Sequence, residues 1–242
     1  MVDIHCHILP RMDDGSSSLE ESLAMARMAA DSGVTDIVAT PHFPGRTDSL
    51  RLLPKLIDRY TTLSEAIEEE NIPVKIHLGA EIMCMSDTAY LASQKLLPTI
   101  GETRYFLTEF MFDEPYDVMD AKLRDIAALG YTPVVAHPER YDTIRRDPMA
   151  VEKWFRRGYV LQLNKGSVLG AFGTGIRTTA EILLEAGLVH LVASDAHSAR
   201  YRTPHMGMLR EWMERHVHHH YARILLEENP GRLLRGEPMR PV

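Results

Sequence analysis

Histidines and carboxylates fall into short clusters along this chain: His5-Cys6-His7 followed by Asp13-Asp14-Gly15, Pro41-His42, Gly79-Ala80-Glu81, Thr108-Glu109, Ala136-His137-Pro138-Glu139-Arg140 and Ser194-Asp195-Ala196-His197. In extended backbone, residues two apart point to the same side, so His5 and His7 converge, as do Asp195 and His197. Two imidazoles on one strand end make a rigid chelate for a divalent cation. Four carboxylates, Asp14, Glu81, Glu109 and Asp195, would repel strongly in a partly desolvated pocket, and bound cations remove that conflict. The candidate ligands His5, His7, Asp14, His42, Glu81, Glu109, His137, Asp195 and His197 exceed what one tetrahedral or octahedral ion takes. Two or three ions with a bridging carboxylate is the natural count. Such a site is net positive and suits a phosphate ester better than a neutral amide. Asp13 and Glu139 are expected to lie beside the cluster and face away.

Residues so far apart in sequence meet only if the fold gathers strand ends. β-rich runs at 2–5, 35–40, 74–81, 105–109, 132–136, 159–164 and 188–194 are separated by helical periodicity at 18–33, 50–70, 120–130, 148–158 and 176–187. Ser18 caps the first helix, with Glu21 placed as in a capping box. The segment 83–101 is less regular, and the chain from Pro204 onward reads as helical. This alternation without a Pro/Gly/Ser linker argues for one α/β domain, residues 1–242, with a mainly parallel sheet. A closed or distorted, TIM-barrel-like β/α barrel fits the length better than a doubly wound sheet, and barrels carry their chemistry at the C-terminal ends of strands.

Composition narrows the class. The net charge of −7 with no basic block argues against nucleic-acid binding. No apolar run is long enough to span a membrane, and the N-terminus does not read as a signal peptide. Two cysteines exclude a disulfide framework and a Cys-rich zinc module, pointing to a reduced, cytoplasmic setting. No GxGxxG follows the first strand and no GxxxxGK[ST] occurs, which removes nucleotide-cofactor readings. A cysteine phosphatase would need His-Cys-x5-Arg, whereas four residues separate Cys6 from Arg11; Cys6 also alternates away from His5 and His7. His77 and His190 read as packing or surface residues, His205 as a candidate for the cleft rim, and His216, His218, His219 and His220 as a solvated helix face. The run 170–175 (GAFGTG) reads as a flexible loop rather than a phosphate nest.

His5-x-His7, Thr40-Pro41-His42, Gly79-x-Glu81, Glu109, His137-Pro138 and Ser194-Asp195-x-His197 together resemble the polymerase and histidinol phosphatase superfamily of metallophosphoesterases. More narrowly, DIHCHILPRMDDGSSSLEESLAMA, ATPHF, AHPERY and ENPGRLLRGE look like the bacterial manganese-dependent protein-tyrosine phosphatases of capsular and exopolysaccharide operons. The resemblance runs from Met1 to about Glu237. It implies a distorted (β/α)7 barrel and three divalent ions, Mn rather than Zn or Fe. His5, His7, Glu81 and Asp195 would hold the first; Glu81, Glu109 and His137 the second, with Glu81 bridging; Asp14, His42 and His197 the third. Phe43 stands where relatives often carry a second histidine. Arg140 matches a family arginine that meets substrate phosphate, and Arg202 matches another, with Arg200 close enough to compete.

The implied reaction is one-step hydrolysis, in which a metal-bridging hydroxide attacks phosphorus in line. The metals and both arginines would carry the charge on the phosphoryl oxygens. A tyrosine phenolate leaves readily, so proton donation is a modest requirement, assigned to His42 or to water beside Asp14. The implied substrate is phosphotyrosine on protein, specifically the tyrosine-rich tail of a kinase that controls polysaccharide chain length. Two alternatives stand beside it: a small-molecule phosphatase such as histidinol-phosphate hydrolase, and a non-catalytic, metal-stabilised scaffold.

Overall fold

Short apolar strands that must be buried on both faces dictate a parallel sheet covered by helices. The computed structural model describes residues 1–240; the last two residues of the expected domain lie outside the described residues. Strands are β1 (Val2–Cys6), β2 (Asp36–Ala39), β3 (His42–Pro44), β4 (Lys75–Leu78), β5 (Glu81–Met83), β6 (Tyr105–Glu109), β7 (Thr132–Ala136), β8 (Val160–Asn164) and β9 (Leu191–Ala193). Every pairing between them is parallel. They form a three-stranded sheet, β1-β2-β4, and a six-stranded one, β3-β5-β6-β7-β8-β9.

Two expected strands are broken at the same level. The run expected at 74–81 divides into β4 and β5, and His42 opens β3 instead of ending β2. The physical cause lies in Thr40-Pro41 and Gly79-Ala80. Pro41 cannot donate to a ladder, and a Cβ on Gly79 would sit 2.8 Å from Val38 Cγ1, so only glycine permits this close approach. The chain passes from one sheet into the other at both breaks. Taken as single strands with a step, the two pairs restore the expected sevenfold repeat. The ends of the order also meet: Cys6 bridges Ala196 in parallel, Asp195 N donates to His5 O at 2.8 Å and His7 N to Ala196 O at 2.8 Å. The result is a distorted, barrel-like ring.

Side chains sort by face. On β6 and β7, Tyr105, Leu107, Val134 and Ala136 join Ile4, Val38, Val160, Leu191 and Ala193 in an interior cluster, reached from below by Ile100 and Leu233. Phe106 and Val135 alternate outward into the larger cluster beneath the helices. On β1, Ile4 belongs to the interior and Cys6 to the outer cluster, although they are two residues apart. A register irregularity between Asp3 and Cys6 accounts for this, and turns His5 and His7 upward.

The helices are α1 (Leu19–Asp31), α2 (Leu53–Glu69), α3 (Thr88–Ser93), α4 (Tyr116–Ala128), α5 (Asp142–Arg146), α6 (Glu152–Arg156), α7 (Lys165–Val168), α8 (Thr174–Glu185), α9 (Gly207–His216), α10 (His219–Arg223) and α11 (Asn229–Leu234). Ser18 Oγ accepts from Glu21 N as expected, but the Glu21 carboxylate turns to Ser17 N and Oγ instead of closing a capping box. α4 starts four residues earlier than its periodicity suggests, the segment 83–101 contains α3, and β9 is shorter than the expected 188–194. Among the described residues no helix is long and apolar enough to cross a membrane.

Candidate metal centre

Each cluster lies where a strand ends or breaks, and the ring brings all of them to its upper rim. His5 Nε2 and His7 Nε2 are 3.2 Å apart, and Glu81 Oε2 is 3.3 Å from both. His42 Nδ1 is 3.0 Å from Glu81 Oε2 and 3.2 Å from Glu109 Oε2. His137 Nε2 is 2.9 Å from Glu81 Oε1 and 3.6 Å from Glu109 Oε1. Asp195 Oδ1 is 3.5 Å from the nearest ring nitrogens of His5, His7 and His197. Asp14 Oδ1 is 3.6 Å from His42 Nε2 and 3.5 Å from His197 Nε2. All nine sequence candidates therefore belong to one connected cluster.

Donor atoms gather within 4.8 Å in three overlapping groups, His5/His7/Glu81, His42/Glu81/Glu109 and His7/Asp14/His42/His197. Glu81, His7 and His42 are shared, so the groups adjoin. Asp195 and His137 stand beside them. Buried Glu81 Oε2, Glu109 Oε2 and His137 Nδ1 have no hydrogen-bond partner. A buried carboxylate oxygen without a partner is costly, and a cation removes that cost. Hard oxygen and imidazole donors with no thiolate fit divalent ions.

The electrostatics carry the same message. Burial disfavours charge on His42, yet the Glu109 and Glu81 carboxylates facing its ring raise its pKa to about 10. Burial likewise opposes charge on His5 and His7, but Glu81 and Asp195, with Asp13 at His7, push both upward. Burial would raise Glu81 and Asp195; the neighbouring imidazoles, and Arg202 at Asp195, drive both well below the carboxylate range. His197 is lowered to about 4 by burial and the charge of His7.

One expectation fails here. Asp13 does not face away: its Oδ2 accepts from His7 Nδ1 at 2.7 Å and from His42 N at 2.7 Å, while Oδ1 accepts from Gly15 N at 3.0 Å. Burial would raise its pKa, but the His7 bond and charge bring it to about 2. A tight turn bends it back onto β1, which alternation along a strand does not reveal. By fixing the proton on Nδ1, Asp13 leaves His7 Nε2 free to ligate. Gln162 Oε1 plays this part for His5 Nδ1 at 2.8 Å, and Asn164 Nδ2 donates to Asp195 Oδ2. The only sequence signal for these two was a pair of amides on one face of an apolar strand. Glu139 does turn from the cluster, and accepts from Asn164 N at 3.0 Å.

The arginines flank this centre. Arg140 Nη1 lies 3.6 Å from Asp195 Oδ2, and Arg202 Nη2 bonds the same oxygen. Asp142 engages Arg145. Arg200 lies exposed, so Arg202 is the one aimed at the cluster. Lys165 Nζ donates to Thr203 O and to His205 O, tying down the segment that bears Arg202. The Arg140 guanidinium carbon is 4.5 Å from the Phe112 ring centre and 4.8 Å from that of Phe172; Arg202 is 5.7 Å from Phe172. Sequence reasoning missed both phenylalanines, one of them in the run 170–175, whose last two residues open α8 rather than belonging to a loop.

Among the residues given blander roles, His216, His218, His219 and His220 are exposed as expected but form no single helix face, since α9 ends at His216 and α10 starts at His219. His77 pairs with Asp36 at 2.8 Å. His190 is buried against Phe155, accepts from Leu161 N at 3.1 Å, and is lowered to about 4 by burial. His205 Nδ1 accepts from Gly207 N at 3.2 Å. His216 stacks on Trp212 at the surface. Cys6 is buried and its thiol pushed well up by burial, which makes it a poor nucleophile.

A family model described as capsular polysaccharide synthesis, CpsB/CapC, matches residues 1–235. The tyrosine-protein phosphatase YwqE of Bacillus subtilis is 34% identical, covering 100% of this chain and 96% of the relative. CpsB of Streptococcus pneumoniae, also named a tyrosine-protein phosphatase, is 32% identical over 97% of this chain and 98% of its own. A solved structure from work on these two proteins, described as unique metal-dependent tyrosine phosphatases, superposes with a TM-score of 0.88 at 33% identity, covering 100% and 99% of the two chains. A lactonase from Listeria monocytogenes shares the fold alone, with a TM-score of 0.61 at 12% identity. The chain therefore belongs to the CpsB/CapC family of capsular polysaccharide synthesis.

Proposed function

We propose that this chain, as one metallophosphatase domain, is a metal-dependent phosphatase that hydrolyses phosphotyrosine on protein in the cytoplasm. The substrate we assign is the tyrosine-rich tail of a kinase acting in polysaccharide synthesis. The observation that carries the reading is the packed cluster of imidazoles and buried, unpartnered carboxylate oxygens with two arginines at its edge. The tyrosine-phosphatase names of the full-length relatives support it.

Three divalent ions, Mn in preference to Zn or Fe, would be held by His5, His7, Glu81 and Asp195, by Glu81, Glu109 and His137, and by Asp14, His42 and His197. Bound ions would supply Lewis acidity and draw a nucleophile from water near neutral pH. The rest falls to the chain. Arg140 and Arg202 bind the phosphoryl oxygens, where their charge answers the charge that develops there. Asp195 holds both guanidinium groups toward the centre. Asp13, Gln162 and Asn164 orient the ligands. The Asp14 side chain, 66% exposed, faces water that can meet the small proton demand of a departing phenolate.

Elemental analysis of metal per chain, paired with hydrolysis of a phosphotyrosine peptide before and after chelation, tests this directly. Activity should vanish on chelation and return with metal. His137→Ala should abolish turnover with the fold intact; unchanged turnover would remove the site assignment. Equal turnover of phosphotyrosine peptide, histidinol phosphate and nucleotides would remove the protein substrate.

A further inference from the structure

The metal cluster and the arginines account for the phosphoryl group of a substrate but not for what the phosphoryl group is attached to. Next to them lies an aromatic surface with no role in either. Phe112 follows the end of β6, is 42% exposed, and lies with its ring centre 6.2 Å from that of His137. Its backbone is anchored, since Asp142 N donates to Phe112 O at 2.8 Å. Its ring lies over the Arg140 guanidinium, whose other neighbour, Phe172, is half-buried. Phe172 is itself seated on backbone: a Cβ on Gly166 would come within 2.7 Å of its ring.

We infer that Phe112 is the wall against which the site holds the aryl ring of its substrate, with Phe172 bracing the phosphate-binding arginines from the other side. The inference rests on the phosphoester reading above and goes beyond it in naming a specificity residue. In an aryl phosphate the ring is one oxygen away from phosphorus, so it must rest beside the groups that hold the phosphoryl oxygens. Phe112 is such a neighbour, since it covers Arg140 and borders His137. A flat exposed ring offers an incoming ring offset or edge-to-face packing. An alkyl phosphate has no face to set against it. The two phenylalanines also differ in a way that separates their roles: Phe112 keeps much of its surface free for a ligand, whereas Phe172 packs toward Arg140 and Arg202 alike.

The test uses the metal-loaded, full-length chain and two inert probes, phenylphosphonate and methylphosphonate, as competitive inhibitors of phosphoester hydrolysis. Comparing inhibition constants removes the greater intrinsic reactivity of aryl esters. Phe112→Ala should cut the phenyl-over-methyl preference about tenfold, the scale of one lost aromatic pair with its buried surface. Phe112→Tyr should restore it, and Phe112→Leu should fall between. Phe172→Ala should weaken both probes together and leave their ratio near that of the parent. Metal content and thermal melting report whether each variant is folded; with Phe112 at the surface, all three replacements there are expected to fold. A ratio unchanged by Phe112→Ala, or equal loss of both probes, would overturn the inference. Failure of the parent enzyme to hydrolyse any phosphoester would instead overturn the phosphatase reading.

Discussion

Asp13 shows how a carboxylate can act on a metal centre by holding a candidate ligand in place. It holds the Nδ1 proton of His7 and the backbone N–H of His42 with a single oxygen, linking two ligand-bearing segments. Asp13→Asn keeps the shape but presents a weaker acceptor, so metal affinity should fall by roughly 10–100-fold, measured by titration against a competing chelator. His137, Asp195 and Arg202 have φ values of 35°, 48° and 47°, a left-handed backbone that side chains resist. At His137 this inverts a usual order: His137→Gly should be more stable than His137→Ala by about 1 kcal/mol in chemical denaturation, although both are inactive. The clustering of the nine histidines and carboxylates was legible in the sequence because strand periodicity and strand ends point most of them one way. Asp13, Phe112 and Phe172 were not, because loop side chains follow no period.

At the scale of elements, alternation of β-rich and helical segments was enough to read the sevenfold repeat, and the caps and glycines marked most helix ends. The breaks in the second and third strands escaped, because Thr40-Pro41 and Gly79-Ala80 interrupt the ladder without interrupting the hydrophobic run. Those breaks matter to the site, since they let His42 and Glu81 start new strands side by side in the paired register. The turn after β1 is equally constrained. A Cβ on Gly15 would lie 2.2 Å from His7 O and 2.5 Å from His7 Cβ, a clash with backbone that no rotamer relieves. Gly15→Ala should therefore displace the turn carrying Asp13 and Asp14, lowering both metal content and melting temperature, as elemental analysis and calorimetry can record.

For the molecule as a whole, His190 sets a lower pH limit independent of the metal centre. Its pKa is about 4 when folded, against an ordinary 6.5, so the unfolded chain binds the proton more readily. Stability from this group is complete above pH 6.5 and is lost as pH falls toward 4, by about 3 kcal/mol in total. Denaturation of metal-free protein across that window should show a steeper decline than in His190→Gln; equal slopes would remove the assignment. The interior has a second global property. β1 hydrogen-bonds at one edge to β2 and at the other to residues 195–196, and Leu233 reaches the same interior cluster from below. A nascent polypeptide thus cannot complete its first strand's neighbours until residues 195–196 and Leu233 have emerged from the ribosome. β1 must wait, with an edge unpaired, for these distant segments, and an unpaired edge leaves a growing chain prone to aggregation.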